Sequence, residues 1–164
     1  MGLITFADES GLMREVSVND PLPVTEWVGG RKATKTIAFT GAAGLGAVGT
    51  ISLFTVTGSA TFRIVAYCTE NLASAGGGTL ALGTAGNPTG FNPTTTATDI
   101  DNGDLWFDGT PINGITETAS FVPFVVVNGS DLILTVGTAD ITDGTMVFDI
   151  YWSPFSSDSS VVAA

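Results

Sequence analysis

Toward the end of the chain, apolar side chains recur at every second position: across residues 145–152 they are Met146, Phe148, Ile150 and Trp152. A period of two puts them on one face of a β-strand, which predicts that these four residues face a core. Runs of similar character follow one another from Lys35 onward, at residues 36–40, 48–57, 60–69, 79–85, 121–127 and 132–136. Turn chemistry separates them. Thr57-Gly58-Ser59 and Asn128-Gly129 read as hairpin turns, Gly76-Gly77-Gly78 and Asp143-Gly144 as further reversals, and residues 86–94, with Pro88 and Pro93, as a loop. About eight strands punctuated in this way fit an all-β fold, a β-sandwich of jelly-roll type, better than a closed barrel.

Residues 1–30 show neither helical nor alternating periodicity over a useful length. Pro21 and Pro23 fix an extended path there, and Trp27 and Val28 offer apolar anchors before the Gly29-Gly30 break. The expected organisation is an extended N-terminal arm, residues 1–34, followed by one β-sandwich domain, residues 35–164. Such an arm either docks on a neighbour or stays disordered.

Two stretches repeat. Thr98 to Asp108 aligns with Ala139 to Asp149: in both, an Asp-Ile pair leads into Asn-Gly or Asp-Gly and then into an apolar stretch ending in Phe-Asp. Two strand-turn-strand units using the same positive-φ turn residues account for this without shared ancestry.

Composition agrees with a folded chain of one domain: 164 residues, 44% hydrophobic, 13% charged, with 21 glycines for turns. The charge is unevenly spread. All the basic residues, Arg14, Arg31, Lys32, Lys35 and Arg63, lie in the first 63 positions, where Asp8, Glu9, Glu15, Asp20 and Glu26 offset them, so the net charge of -11 belongs to the remainder. A body that acidic repels phosphate backbones, and no basic cluster with interleaved aromatics appears, which argues against a nucleic-acid partner. Cys68 stands alone, in step with Phe62, Ile64 and Ala66, as a buried core thiol that can form no intramolecular disulfide. The uncharged stretch between Lys35 and Arg63 is too rich in glycine and threonine for a spanning helix, and no basic-then-apolar leader opens the chain. A cytoplasmic product with no membrane partner is expected.

Several motifs carry less than they promise. Gly44-Leu45-Gly46-Ala47-Val48-Gly49 matches the G-x-G-x-x-G fingerprint, but a strand-like run follows where a helix N-terminus would have to meet a pyrophosphate, so no cofactor is assigned. Asp99, Asp101, Asp104 and Asp108 cluster as calcium ligands do, yet Gly103 and Asp104 fall where an EF-hand needs its fifth and sixth residues. A solvated acidic turn is the ordinary alternative to a non-standard calcium site. The chain has no histidine, which removes the usual general base, the serine and cysteine triads and the common zinc sites; an enzyme is not expected. Trp27, Trp106 and Trp152 could form a sugar-stacking platform, with core or interface packing the simpler account.

Four segments carry a resemblance: residues 49–58, residues 95–101, residues 128–140, and the ending from Trp152-Ser153-Pro154-Phe155 to Val161-Val162-Ala163-Ala164. They resemble small tailed-phage and prophage virion proteins over residues 48–164. The resemblance implies a non-catalytic virion component, most simply a cement or decoration protein on the outer surface of the phage head, β-rich and trimeric, with the major capsid protein as partner. Pro21, Leu22, Pro23, Val24, Trp27, Arg31, Lys32 and Lys35 are then the candidate capsid or subunit contacts. A tail, collar or fibre component and a carbohydrate-binding module are the alternatives.

Overall fold

The computed structural model describes residues 3–7, 13–17, 31–113, 123–127 and 129–164. β1 (Leu3–Ala7) and β2 (Met13–Ser17) pair antiparallel with each other, Leu3 opposite Ser17 and Ala7 opposite Met13. Five-residue strands are too short for an alternation to stand out, and the sequence read this region as aperiodic.

The described strands of the body form two antiparallel sheets packed together, the all-β sandwich expected from the alternation. Sheet one runs β3 (Arg31–Ala38), β12 (Asp143–Pro154), β5 (Ala60–Ala73), β8 (Asp104–Trp106), β9 (Ile112–Asn113), and β10 (Phe124–Val126) also pairs with β5. Sheet two runs β13 (Ser160–Ala163), β4 (Gly49–Thr57), β11 (Leu132–Gly137), β6 (Thr79–Thr84), β7 (Asn87–Thr96). Inward residues at period two fill the space between. From sheet one come Met146, Phe148, Ile150 and Trp152, opposite Cys68, Ala66, Ile64 and Phe62; from sheet two come Leu80, Leu82, Leu132, Leu134 and Val136. Each of these is buried, so the four inward residues of β12 and the core thiol stand as expected. Where β4 buries two residues in succession, Leu53 and Phe54, the β4–β11 register slips by one, a bulge that turns both inward.

Four expectations about strands and their connections are corrected. Thr57-Gly58-Ser59 does not make a hairpin, because β4 lies in sheet two and β5 in sheet one. Nor does the link around Gly129, since β10 pairs with β5 and β11 with β4 and β6; Asn128 itself lies outside the described residues. Both links are arches between the layers, stacked so that Gly129 N–H donates to the Gly58 carbonyl at 2.8 Å. A positive-φ glycine reverses the chain equally well within a sheet or across two, so turn chemistry alone does not choose the partner. Residues 87–96, read mostly as loop, form β7; Pro88 and Pro93 are tolerated because β7 is the edge of its sheet. Finally, β3 begins at Arg31, so residues 31–34, assigned to the arm, belong to the sandwich.

The repeat proves to be local. Ile100 and Ile141 are both fully buried, and Gly103 (φ 94°) and Gly144 (φ 99°) both take the left-handed conformation that glycine adopts without strain. Each unit docks on β5, from β8 on one side and β12 on the other. Beyond the glycine the phase differs: Trp106 is buried in the first unit, whereas its counterpart Val147 is half-buried.

Leu134, fully buried on the central strand of sheet two, gives the direct test of the packing. Leu134→Ala should lower the unfolding free energy by about 2–5 kcal/mol, and Thr55→Ala, on the exposed side of β4, by less than about 0.5, in urea titrations followed by tryptophan fluorescence.

Candidate functional site

The described contact candidates all lie on β3, and the fold gives each of them a partner. The Arg31 guanidinium sits 4.9 Å from the Trp152 ring centroid. Lys32 Nζ is 2.9 Å from Asp149 Oδ2 and lies over the Tyr151 ring, while Thr34 Oγ1 donates to Asp149 Oδ1 at 2.6 Å. The hydrogen bond that Lys32 donates to Asp149 is the main reason the Lys32 pKa is raised above its ordinary value. Because Lys32 is 46% exposed, this pair contributes little to stability, under about 1 kcal/mol. Lys35 faces the core side of β3, opposite Phe148, and its Nζ donates to the main-chain oxygen of Ala164, tying sheet one to the end of β13. Pro21, Leu22, Pro23, Val24 and Trp27 lie outside the described residues.

Register places a second set of groups on the outer face of sheet one. Lys32 is opposite Tyr151, and Tyr151 is opposite Arg63, so two cations flank one tyrosine across three strands. Asp149 and Glu70 stand on the same face, Asp149 beside Val65 and Glu70 beside Thr145. The strands of sheet one carry eight charged residues, among them Arg31, Lys32, Lys35 and Arg63.

Sheet two is the opposite. None of β4, β6, β7, β11 and β13 contains an Asp, Glu, Lys or Arg. Its outer face is built of rows across strands, Thr50–Thr135–Ala81, Ser52–Ile133–Gly83 and Thr55–Val162, with Thr50, Ser52, Thr55 and Val162 exposed. The acidic residues near this sheet sit at its ends and hold turns. Asp131 Oδ1 accepts from Val56 N–H at 2.9 Å, Asp140 Oδ1 from Val48 N–H at 2.8 Å, and Asp158 Oδ1 from Ser156 Oγ at 2.5 Å.

Two of the four clustered aspartates have separate hydrogen-bonding uses. Asp108 Oδ1 accepts from Thr110 N–H at 2.7 Å, and Asp104 is buried with Oδ2 accepting from Asp101 N–H at 3.0 Å. Among the described residues no group of three or more Cys, Asp or Glu side chains is placed to hold a metal ion. After the G-x-G-x-x-G run the chain enters β4, not a helix. Gly46 serves instead as a close approach, since a Cβ there would lie 2.1 Å from the Ile141 carbonyl oxygen. Trp106 is fully buried and Trp152 nearly so, which leaves neither ring on a surface where a sugar could stack. No described helix is long and apolar enough to cross a membrane.

Compared with family models, with curated proteins and with solved structures, the chain finds no match in any of the three.

Cys68 is buried on the core side of β5, and burial is the main cause that pushes its thiol pKa up; nearby Asp104, Asp101 and Glu70 push the same way. A raised pKa means that the unfolded chain ionises first as pH rises past the ordinary value of 9.0, so the thiol's contribution is intact below that pH and lost above it. The native protein should therefore leave an aromatic disulfide reagent unreacted at neutral pH and release one equivalent on denaturation. Its alkaline loss of stability should be smaller in Cys68→Val.

Proposed function

We propose that this is a virion structural protein, a cement or decoration protein that binds the outer surface of a phage head, and that its fold is a jelly roll. Strand order supports the fold reading: β3, β12, β5 and β8 are neighbours in one sheet, β4, β11, β6 and β7 in the other, and the chain passes back and forth between them. The segments that resemble phage proteins fall largely on adjacent strands of sheet two, residues 49–58 covering β4, residues 128–140 covering β11, and the chain ending forming β13.

One observation carries the functional reading: formal charge is separated between the two sheets. A cement protein contacts two kinds of neighbour, the shell and copies of itself, and needs two chemically different faces to do so. Sheet one presents Lys32, Tyr151 and Arg63 and is entered directly from the N-terminal segment, so in this reading it faces the major capsid protein. The acidic loops point to solvent. The protein acts as an oligomer, a trimer by the resemblance, and performs no catalysis.

Mixing the full chain with undecorated capsids tests this. The expected result is co-sedimentation and a higher capsid melting temperature, with deletion of residues 1–30 abolishing binding and Arg63→Glu weakening it in a salt-dependent way. Wild-type protein that stays in the supernatant, or that is found on tails in intact particles, would refute the head assignment.

A further inference from the structure

We propose that the outer face of sheet two is a self-association surface, on which a second copy of this chain packs through β4, β11 and β13. The inference rests on the oligomeric part of the reading above and is independent of the capsid part.

Charge repulsion limits which faces of two copies can meet. Two copies of a chain with a net charge of -11 resist each other, most strongly where charged groups would be desolvated on contact. A homotypic contact therefore selects a face without formal charge. The outer face of sheet one fails that test, because closing it on a copy would bury the exposed Lys32, Arg63 and Glu70. The outer face of sheet two meets it, with Thr50, Ser52, Thr55 and Val162 exposed and Ile133 half-buried beside them.

Sheet edges are the other common route to self-association, and the described edges are guarded. β3 turns Arg31 and Lys35 toward the core side, β7 carries Pro88 and Pro93, and β9, β10 and β13 are two, three and four residues long. Strand addition is thus disfavoured at each of them, while Thr50, Ser52, Thr55 and Val162 of the uncharged face are exposed among the described residues. Threonine and serine suit such a contact: their methyl and methylene groups pack flat, and their hydroxyls can pair across the interface.

Sedimentation velocity on the full chain at micromolar concentration, without capsids, is the test. Wild type should have a mass that is a multiple of 16.7 kDa. Ser52→Glu and, separately, Thr55→Lys should each weaken association by about a hundredfold or more, since each copy would bury an unpaired charge, with the circular dichroism spectrum unchanged. Arg63→Glu, on the other sheet, should keep the wild-type mass. The two face variants differ in sign and position, so a folding defect in one leaves the other to decide. A wild type that sediments as one chain, or a folded face variant that keeps the wild-type mass, overturns the proposal. Mass is read on the protein alone and capsid binding by pelleting, so either idea can fail without the other.

Discussion

The sandwich depends on how its two layers are joined along their sides, where the apolar core thins out and backbone edges come close to water. Along one side Trp106 of β8 is fully buried against β7, its Nε1–H donating to Thr95 Oγ1 at 3.0 Å, while Asn92 Nδ2 donates to the Trp106 carbonyl at 2.8 Å. Along the other, Lys35 of β3 reaches the main-chain oxygen of Ala164 beyond β13. Buried polar groups destabilise a core unless they are satisfied, and Trp106 Nε1 and Asn92 Nδ2 are each satisfied by a group from the opposite sheet. The hydrogen bonds thus fix which strand of one layer lies over which strand of the other. Between those sides, dispersion and hydrophobic burial along β12, β5, β4 and β11 supply the bulk of the stability and little of the specificity.

Strands such as β5, β11 and β12 were legible in the sequence because most of their length buries a single face, and a period of two survives any change of partner. Met146, Phe148, Ile150 and Trp152 point inward whether β12 pairs with β11 or with β3 and β5. Pairing was not legible for the same reason. Gly58 and Gly129 announce reversals, but whether the chain returns beside itself or crosses to the other layer depends on the whole set of inward residues. The strand at residues 87–96 was hidden by its prolines, which mark an edge only once the sheet order is known.

The surfaces were less legible than the core. Arg31, Lys32 and Lys35 were visible as a basic cluster, yet their engagement with Trp152, Asp149 and Ala164 involves residues more than a hundred positions away. The lack of charge on sheet two has a signal in the sequence, in that residues 49–57, 79–84, 87–96, 132–137 and 160–163 each lack Asp, Glu, Lys and Arg. Taken one at a time such stretches are ordinary. Only the strand order, which makes the five segments neighbours, turns them into a surface.

That surface changes how the acidity of the chain is understood. Asp108, Asp131, Asp140 and Asp158 hold turns through hydrogen bonds to backbone N–H groups or to a serine hydroxyl, so local geometry explains why these carboxylates sit in loops. It does not explain their absence from an entire five-stranded sheet, whose exposed threonines and serine could have been glutamate or lysine at little cost to folding. Exposed sheet positions tolerate charge well, and charge there would aid solubility. A face that forgoes it in so acidic a chain is therefore better explained by what it meets than by how it folds.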